Sequence, residues 1–208
     1  VSADWLKPAI QAVAETLIAH SEELSDLDSA IGDGDHGHNM KRGFQAVLEQ
    51  IDQIAAEEPP KALQKIGMTL VGKVGGASGP LYGTLFMQAG KSWDGTPSVA
   101  AVAAAVEGGL DGVKARGKAT AGEKTMIDVW EPVVAALKEA SDKSGADAAA
   151  AARSAAETGL EATREMKATK GRAAYLGERS IGHLDPGARS SELIVQTLSD
   201  LVSKGVAP

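Results

Sequence analysis

Three carboxylates, Asp28, Asp33 and Asp35, fall within eight residues and form the densest concentration of chemistry in the chain. They sit in the run Asp28-Ser29-Ala30-Ile31-Gly32-Asp33-Gly34-Asp35-His36-Gly37-His38-Asn39, with two of the four histidines. Carboxylates crowded in this way repel one another unless a cation offsets them. Gly32, Gly34 and Gly37 let the backbone turn tightly enough to aim several oxygens at one point. The run therefore reads as a site for a hard divalent cation. Mg2+ comes first, because it takes oxygen ligands and fills its remaining positions with water or substrate phosphate. A solvated acidic turn is the plainer alternative.

A second stretch, Gly75-Gly76-Ala77-Ser78-Gly79-Pro80, places small residues before a proline that suits the first turn of a helix. Backbone N–H groups at such a helix start attract anions. A tight loop that needs glycine only for its geometry reads equally well. The third stretch, residues 170–188, shows no period and holds glycines, a proline, charges of both signs and His183. A loop of that length is functional or disordered. Tyr175, Leu176 and Ile181 argue for order, since each can pack apolar surface.

The elements that must position these stretches are helices. Trp5, Ile10, Val13, Leu17 and Ile18 keep one face at helical spacing. Ser21 can cap a short second helix carrying Leu24 and Leu27, which the Asp/Gly run breaks. A third helix is expected from about Asn39 through Ile51, and Glu58-Pro59-Pro60 ends that segment. Further helices are expected over 61–73, from Pro80, over 100–114 toward Gly117, from about Thr125, over 146–166 and from about Gly187. No strand periodicity is visible. The expected fold is all-α, about eight antiparallel helices plus the short one. In an up-and-down arrangement alternate loops come to the same end. The Asp run, the Gly-Gly-Ala-Ser-Gly run, residues 117–122 and residues 170–188 are alternate loops, so one site is expected from all four.

Composition narrows the function. A chain of 208 residues can bury a large core and is expected to form one domain. Its net charge of −7 argues against a nucleic-acid partner. With no cysteine, thiolate chemistry and a disulfide scaffold are excluded. No apolar run nears the ~20 residues of a membrane span. Val1-Ser2-Ala3-Asp4-Trp5 lacks the basic and apolar regions of a signal peptide, so a cytoplasmic protein is expected.

Three motif matches fail on context. Gly32 to Gly37 fits G-x-G-x-x-G, but no strand precedes it and its two acids would repel a pyrophosphate. Gly112 to Lys118 fits G-x-x-x-x-G-K, yet Ala119 stands where Ser or Thr must hold Mg2+. Asp33-x-Asp35 opens like an EF-hand loop, but its twelfth position is Phe44 rather than glutamate.

Taken with Gly122-Glu123-Lys124-Thr125-Met126 and the run from Gly171 to Gly187, the first two stretches resemble the nucleotide-binding L subunits of dihydroxyacetone kinases. The likeness runs in order through nearly the whole chain. It implies an all-α barrel of about eight antiparallel helices with the nucleotide site in the loops at one end. It implies that Asp28, Asp33 and Asp35 hold two Mg2+ ions, which hold the phosphates of ADP or ATP. His36, Gly37, His38 and Asn39 would border the nucleotide. Ala77 and Ser78 would donate to phosphate. Gly117 and Met126 would line the adenine side. Arg172 would act on the phosphates as the catalytic residue, and Asp185, Pro186 and Gly187 would close over the nucleotide. For His183 a loop-ordering hydrogen bond is the preferred role.

The partners implied are a K subunit, whose histidine holds dihydroxyacetone covalently, and an M subunit, whose phosphohistidine recharges the bound ADP. A free-standing chain without a K-like domain favours this phosphoenolpyruvate-dependent type. The alternatives are the nucleotide domain of an ATP-dependent ketose or fatty-acid kinase, and a non-enzymatic nucleotide sensor.

Overall fold

The computed structural model describes residues 3–206, so Val1 and Ser2 of the segment read for a leader lie outside the described residues. Within these residues ten α-helices follow one another: α1 (Leu6–Ala19), α2 (Ser21–Ile31), α3 (His36–Leu48), α4 (Ile51–Ala55), α5 (Pro59–Lys73), α6 (Ser78–Ser92), α7 (Val99–Gly117), α8 (Ile127–Glu139), α9 (Gly145–Ala162) and α10 (Pro186–Ser203). Short 3-10 segments occupy Thr163–Glu165 and Arg172–Ser180. Among the described residues there is no strand, and no helix is long and apolar enough to cross a membrane.

Eight of the helices pack in a closed circuit. α1 lies against α3, α3 against α5, and the chain then runs neighbour to neighbour from α5 to α10, which returns to α1. The shared core is aliphatic, with Leu17, Met40, Val47, Leu70, Val113, Val129 and Leu193 almost wholly buried. Small residues let the helices close on one another. At the α5–α6 crossing, a Cβ on Gly67 would stand 2.6 Å from the Gly83 carbonyl oxygen, and one on Gly83 2.8 Å from that of Gly67. Part of the glycine surplus thus serves helix contacts rather than loops.

Several boundaries differ from expectation, each for a local reason. α3 begins at His36, three residues before the expected start, and α2 runs on to Ile31. Asp28 is therefore a helical residue. The third helix stops at Leu48, and Ile51–Ala55 is a separate turn of helix. Ser21 makes no capping bond; it is the buried first residue of α2. α6 opens at Ser78, so Pro80 is its third residue, still within the turn whose N–H groups have no helical partner. Residues 170–188 are not one irregular loop. Leu176 packs with Ile31, Ala168 and Ala173 in a small second core. Tyr175, in contrast, is 90% exposed and Ile181 40%, so neither packs as expected.

Candidate functional site

The loops after α2, α5, α7 and α9 all contribute to one cleft of about 430 Å³, as the alternation of loops required. The four segments are fastened in different ways. Arg189 of α10 pairs with Glu23 of α2 at 2.7 Å, fixing the helix that carries Asp28. Asp28 Oδ2 accepts the backbone N–H groups of Asp35 (2.9 Å) and His36 (3.2 Å), which folds the Asp run back onto α2. Gly32 is required there, because a Cβ would lie 2.2 Å from Asp28 Oδ1.

Asp28, Asp33 and Asp35 each present a carboxylate oxygen, and the three atoms lie within 4.8 Å of one another. Burial raises the Asp28 pKa above the ordinary carboxylate value. The N–H groups of His36 and Asp35 oppose that rise, and the charges of Asp33 and Asp35 add to it. The cluster is thus short of positive charge. Among the described residues its only ion pair runs from Arg172 Nη2 to Asp33 Oδ2 at 2.9 Å. An all-oxygen donor set with that deficit fits a hard divalent cation.

Ser78 begins α6 beside this cluster, with Ala77 at the N-cap position. Its hydroxyl lies 3.0 Å from Nδ1 of His36, and Nε2 of the same ring lies 2.9 Å from Ser190 Oγ of α10. Burial lowers the His36 pKa to about 4, which keeps the ring neutral near pH 7. The lining also includes Leu81, Val113, Gly117 and Met126, together with Arg116 and Lys124.

The loop after α7 is tied down by buried polar groups that sequence reading did not assign. Asp128 accepts the Gly122 N–H on one oxygen (2.5 Å) and the Thr125 N–H on the other (2.7 Å). The Thr125 hydroxyl in turn accepts the Ile127 N–H at 3.1 Å, so Thr125 and Asp128 tie the chain together just before α8, a pairing whose sequence trace is Thr-x-x-Asp before an apolar run. Lys124, 1% exposed and with a left-handed φ of 61°, donates from Nζ to the carbonyls of Thr163 and His183. It joins the Gly117–Met126 side of the cleft to the approach of Asp185, and His183 takes part through its backbone. Asp185 caps α10 by accepting the Ala188 N–H at 2.7 Å. Burial raises its pKa to about 7, against the lowering effects of that N–H and of Lys124.

Twelve expected site residues line the cleft: Asp28, Asp33, Asp35, His36, Ala77, Ser78, Gly117, Met126, Arg172, Asp185, Pro186 and Gly187. Three do not. Gly37 packs on the Ser21 carbonyl of α2, His38 Nδ1 lies 2.9 Å from Ser25 Oγ, and Asn39 Oδ1 accepts from Arg42 at 2.7 Å. All three follow His36 into α3, whose turn carries them away from the opening.

A cleft with a carboxylate cluster and apolar side chains, set in the loops of an all-helical fold, has the donors that suit a metal ion and a phosphorylated ligand. The DAK2 domain family matches residues 30–200, and the chain belongs to that family. It is similar to the PEP-dependent dihydroxyacetone kinase 1, ADP-binding subunit DhaL, of Listeria innocua, with 47% identity over 196 residues covering 94% of each chain. The corresponding Escherichia coli subunit is 48% identical over 183 residues, covering 86% of this chain and 87% of the relative. Among solved structures, the dihydroxyacetone kinase from C. freundii in complex with AMP-PNP and Mg2+ superposes with a TM-score of 0.76 at 27% identity. That match covers 94% of this chain and 33% of the kinase, so the chain spans about a third of its length.

Proposed function

We propose that the chain is the ADP/ATP-binding phosphotransferase subunit of a phosphoenolpyruvate-dependent dihydroxyacetone kinase. The observation that carries this is the meeting of three carboxylates, Ser78 and Arg172 in one cleft that also exposes Leu81, Val113 and Met126. Such a lining suits phosphates against the polar groups and a base against the apolar ones. The L. innocua relative, matched over 94% of both chains, points to the same role.

In this reading residues 1–208 form one nucleotide-binding domain. Asp28, Asp33 and Asp35 hold two Mg2+ ions, which when bound neutralise phosphate charge and orient the transferring group. Ala77 and Ser78, at the start of α6, offer N–H and hydroxyl donors to phosphate. Gly117 and Met126 face the base, and Asp185, Pro186 and Gly187 close the nucleotide from the α10 side. His36 borders the phosphates, with Gly37, His38 and Asn39 behind it. Arg172 is the catalytic residue, its guanidinium charged at any working pH and shaped for phosphate oxygens. Phosphoryl transfer is mostly positioning and charge neutralisation, so this chain needs no nucleophile of its own. The bound nucleotide would relay a phosphoryl group from a phosphohistidine on an M subunit to the hydroxyl of dihydroxyacetone held on a K subunit. A cytoplasmic setting belongs to the same reading.

Native mass spectrometry of the purified chain tests it. Retained ADP with two Mg2+ is expected. An empty protein that takes up ATP reversibly would assign the chain to ATP-dependent kinases instead. Turnover of dihydroxyacetone on adding K and M subunits separates the enzyme from a nucleotide sensor, which would bind ADP and transfer nothing.

A further inference from the structure

His36 is held between two hydroxyls, Ser78 Oγ at Nδ1 and Ser190 Oγ at Nε2. A neutral imidazole carries one N–H and one bare nitrogen. One hydroxyl must therefore donate to the ring while the other accepts from it. With the hydrogen on Nε2, Ser190 accepts, and Ser78 commits its only hydrogen to Nδ1. Ser78 Oγ then shows the cleft lone pairs alone, which repel a phosphate oxygen. With the hydrogen on Nδ1, the ring donates to Ser78, and the Ser78 O–H is released to point into the cleft. Nε2 then accepts from Ser190.

The surrounding groups accommodate both arrangements. Ser190 Oγ lies 3.0 Å from the Pro186 carbonyl and 2.7 Å from the Tyr82 hydroxyl. Tyr82 lies 2.9 Å from the Gly187 carbonyl, to which Ser191 also donates at 2.8 Å. In the first arrangement Ser190 accepts from the ring and from Tyr82 and donates to the Pro186 carbonyl, one bond more than in the second, which favours it when the cleft is empty. In the second, Ser190 turns its hydrogen from Pro186 to the ring and still accepts from Tyr82, while Ser191 keeps Gly187. Every buried hydroxyl stays bonded in both.

We propose that His36 is a positioning residue whose Nδ1–H tautomer makes Ser78 a hydrogen-bond donor to phosphate, and that Mg-nucleotide binding selects this tautomer. Tyr82, Ser190, His36 and Ser78 then form one head-to-tail chain of donors aimed into the cleft, and hydrogen bonds so aligned polarise one another. The switch also moves the Ser190 hydrogen off the Pro186 carbonyl, so phosphate contact at Ser78 is felt in the 185–187 segment. The inference rests on the nucleotide reading above and supplies its proton arrangement.

Long-range 1H–15N correlation spectra of protein with 15N-labelled histidine show which ring nitrogen carries hydrogen. The metal- and nucleotide-free protein is expected to show Nε2–H at His36, and the ADP–Mg2+ form Nδ1–H. Ser78→Ala is expected to bind ADP–Mg2+ more weakly and to keep Nε2–H. His36→Asn, whose amide N–H stands where Nδ1–H does, should retain more ADP affinity than His36→Gln, whose amide N–H stands nearer Nε2. If calorimetry shows ADP bound while the tautomer is unmoved, or moved equally in Ser78→Ala, the proposal is overturned and the nucleotide reading survives. Equal affinity loss in the Asn and Gln variants overturns it as well. If wild-type protein binds no ADP, the nucleotide reading fails and takes the proposal with it.

Discussion

The cleft has two sides held by different physics. Its inner wall, made by Lys124, Asp185, His36 and Tyr82 with Asp128 and Ser190 behind them, is buried or half-buried and linked by hydrogen bonds within the protein. Its rim, made by Asp33, Asp35 and Arg172, is exposed and held by one ion pair between side chains that are 69% and 38% exposed. Buried polar bonds are costly to break because the abandoned partner cannot reach water. An exposed ion pair contributes little to stability. The wall therefore sets the shape before a ligand arrives, and in the proposed reading the rim exchanges the Arg172 pair for a cation and phosphate. The same contrast orders four expected outcomes, from the largest effect to the smallest.

Lys124→Met removes the donors to two carbonyls, Thr163 and His183, that sit against the wall. Charge-assisted bonds of this kind are worth about 1.5–3 kcal/mol each, so urea unfolding should show a loss of about 3 kcal/mol or more. A loss below about 1 kcal/mol would mean that the carbonyls find other partners and that the wall is softer than described.

Asp33→Asn and Asp35→Asn act on the rim. Calorimetry in Mg2+ should show ADP affinity reduced by more than the roughly 100-fold that loss of an outer-sphere partner can cost. Urea stability of the metal-free variants should stay within about 0.5 kcal/mol of wild type, the usual range for a surface substitution. ADP co-purifying with full Mg2+ in either variant would remove that residue from the metal site.

Arg172→Ala should leave metal-free stability unchanged within about 0.5 kcal/mol. In the reconstituted three-subunit system its turnover should fall well below wild type, and more than its ADP affinity does, because a charge acting on the developing transition state affects transfer more than binding. Arg172→Lys should lie between the two, keeping the charge but not the fork. Proportional losses of affinity and turnover would make Arg172 a binding residue only.

The last outcome, smallest when read per pH unit, is a slope of at most about 1.4 kcal/mol per unit. Burial raises Asp185 from an ordinary 3.8 to about 7. A carboxyl with a raised folded pKa supports the fold fully below its ordinary value and loses that support as pH climbs through the folded value. In metal-free protein this contribution should decline between about pH 4 and 7 and level off above. Asp185→Asn keeps an oxygen for the Ala188 N–H and does not ionise, so its stability should vary less over that window. Parallel curves for wild type and variant would show that Asp185 titrates like a solvated carboxyl.

Much of the rim was legible in the sequence, because its chemistry is local. Asp28, Asp33 and Asp35 are close along the chain, and glycine between carboxylates signals a turn that converges oxygens. The all-helical class was legible from apolar spacing. The parity of the loops was enough to expect Ser78, Met126, Arg172 and Asp185 at one end, although they lie far apart in sequence. Helix boundaries near the site were less legible. Asp35-His36 reads as loop by composition, but α3 starts at His36 because the Asp28 carboxylate binds the N–H groups of Asp35 and His36 at its first turn.

What only the tertiary structure decided is the wall. Lys124 looks like a loop lysine bound for solvent, yet carbonyls 39 and 59 residues away draw it inside. His36 and Ser190 are 154 residues apart, and nothing in either segment announces the other. Tyr175 is an aromatic that sequence reasoning expects to pack, and the fold leaves it in water. The sequence determines which residues can ligate, turn or cap, since those properties belong to a few neighbouring atoms. Which polar groups are removed from water, and hence which protons are held and where, depends on what the helices bring against them from elsewhere in the chain.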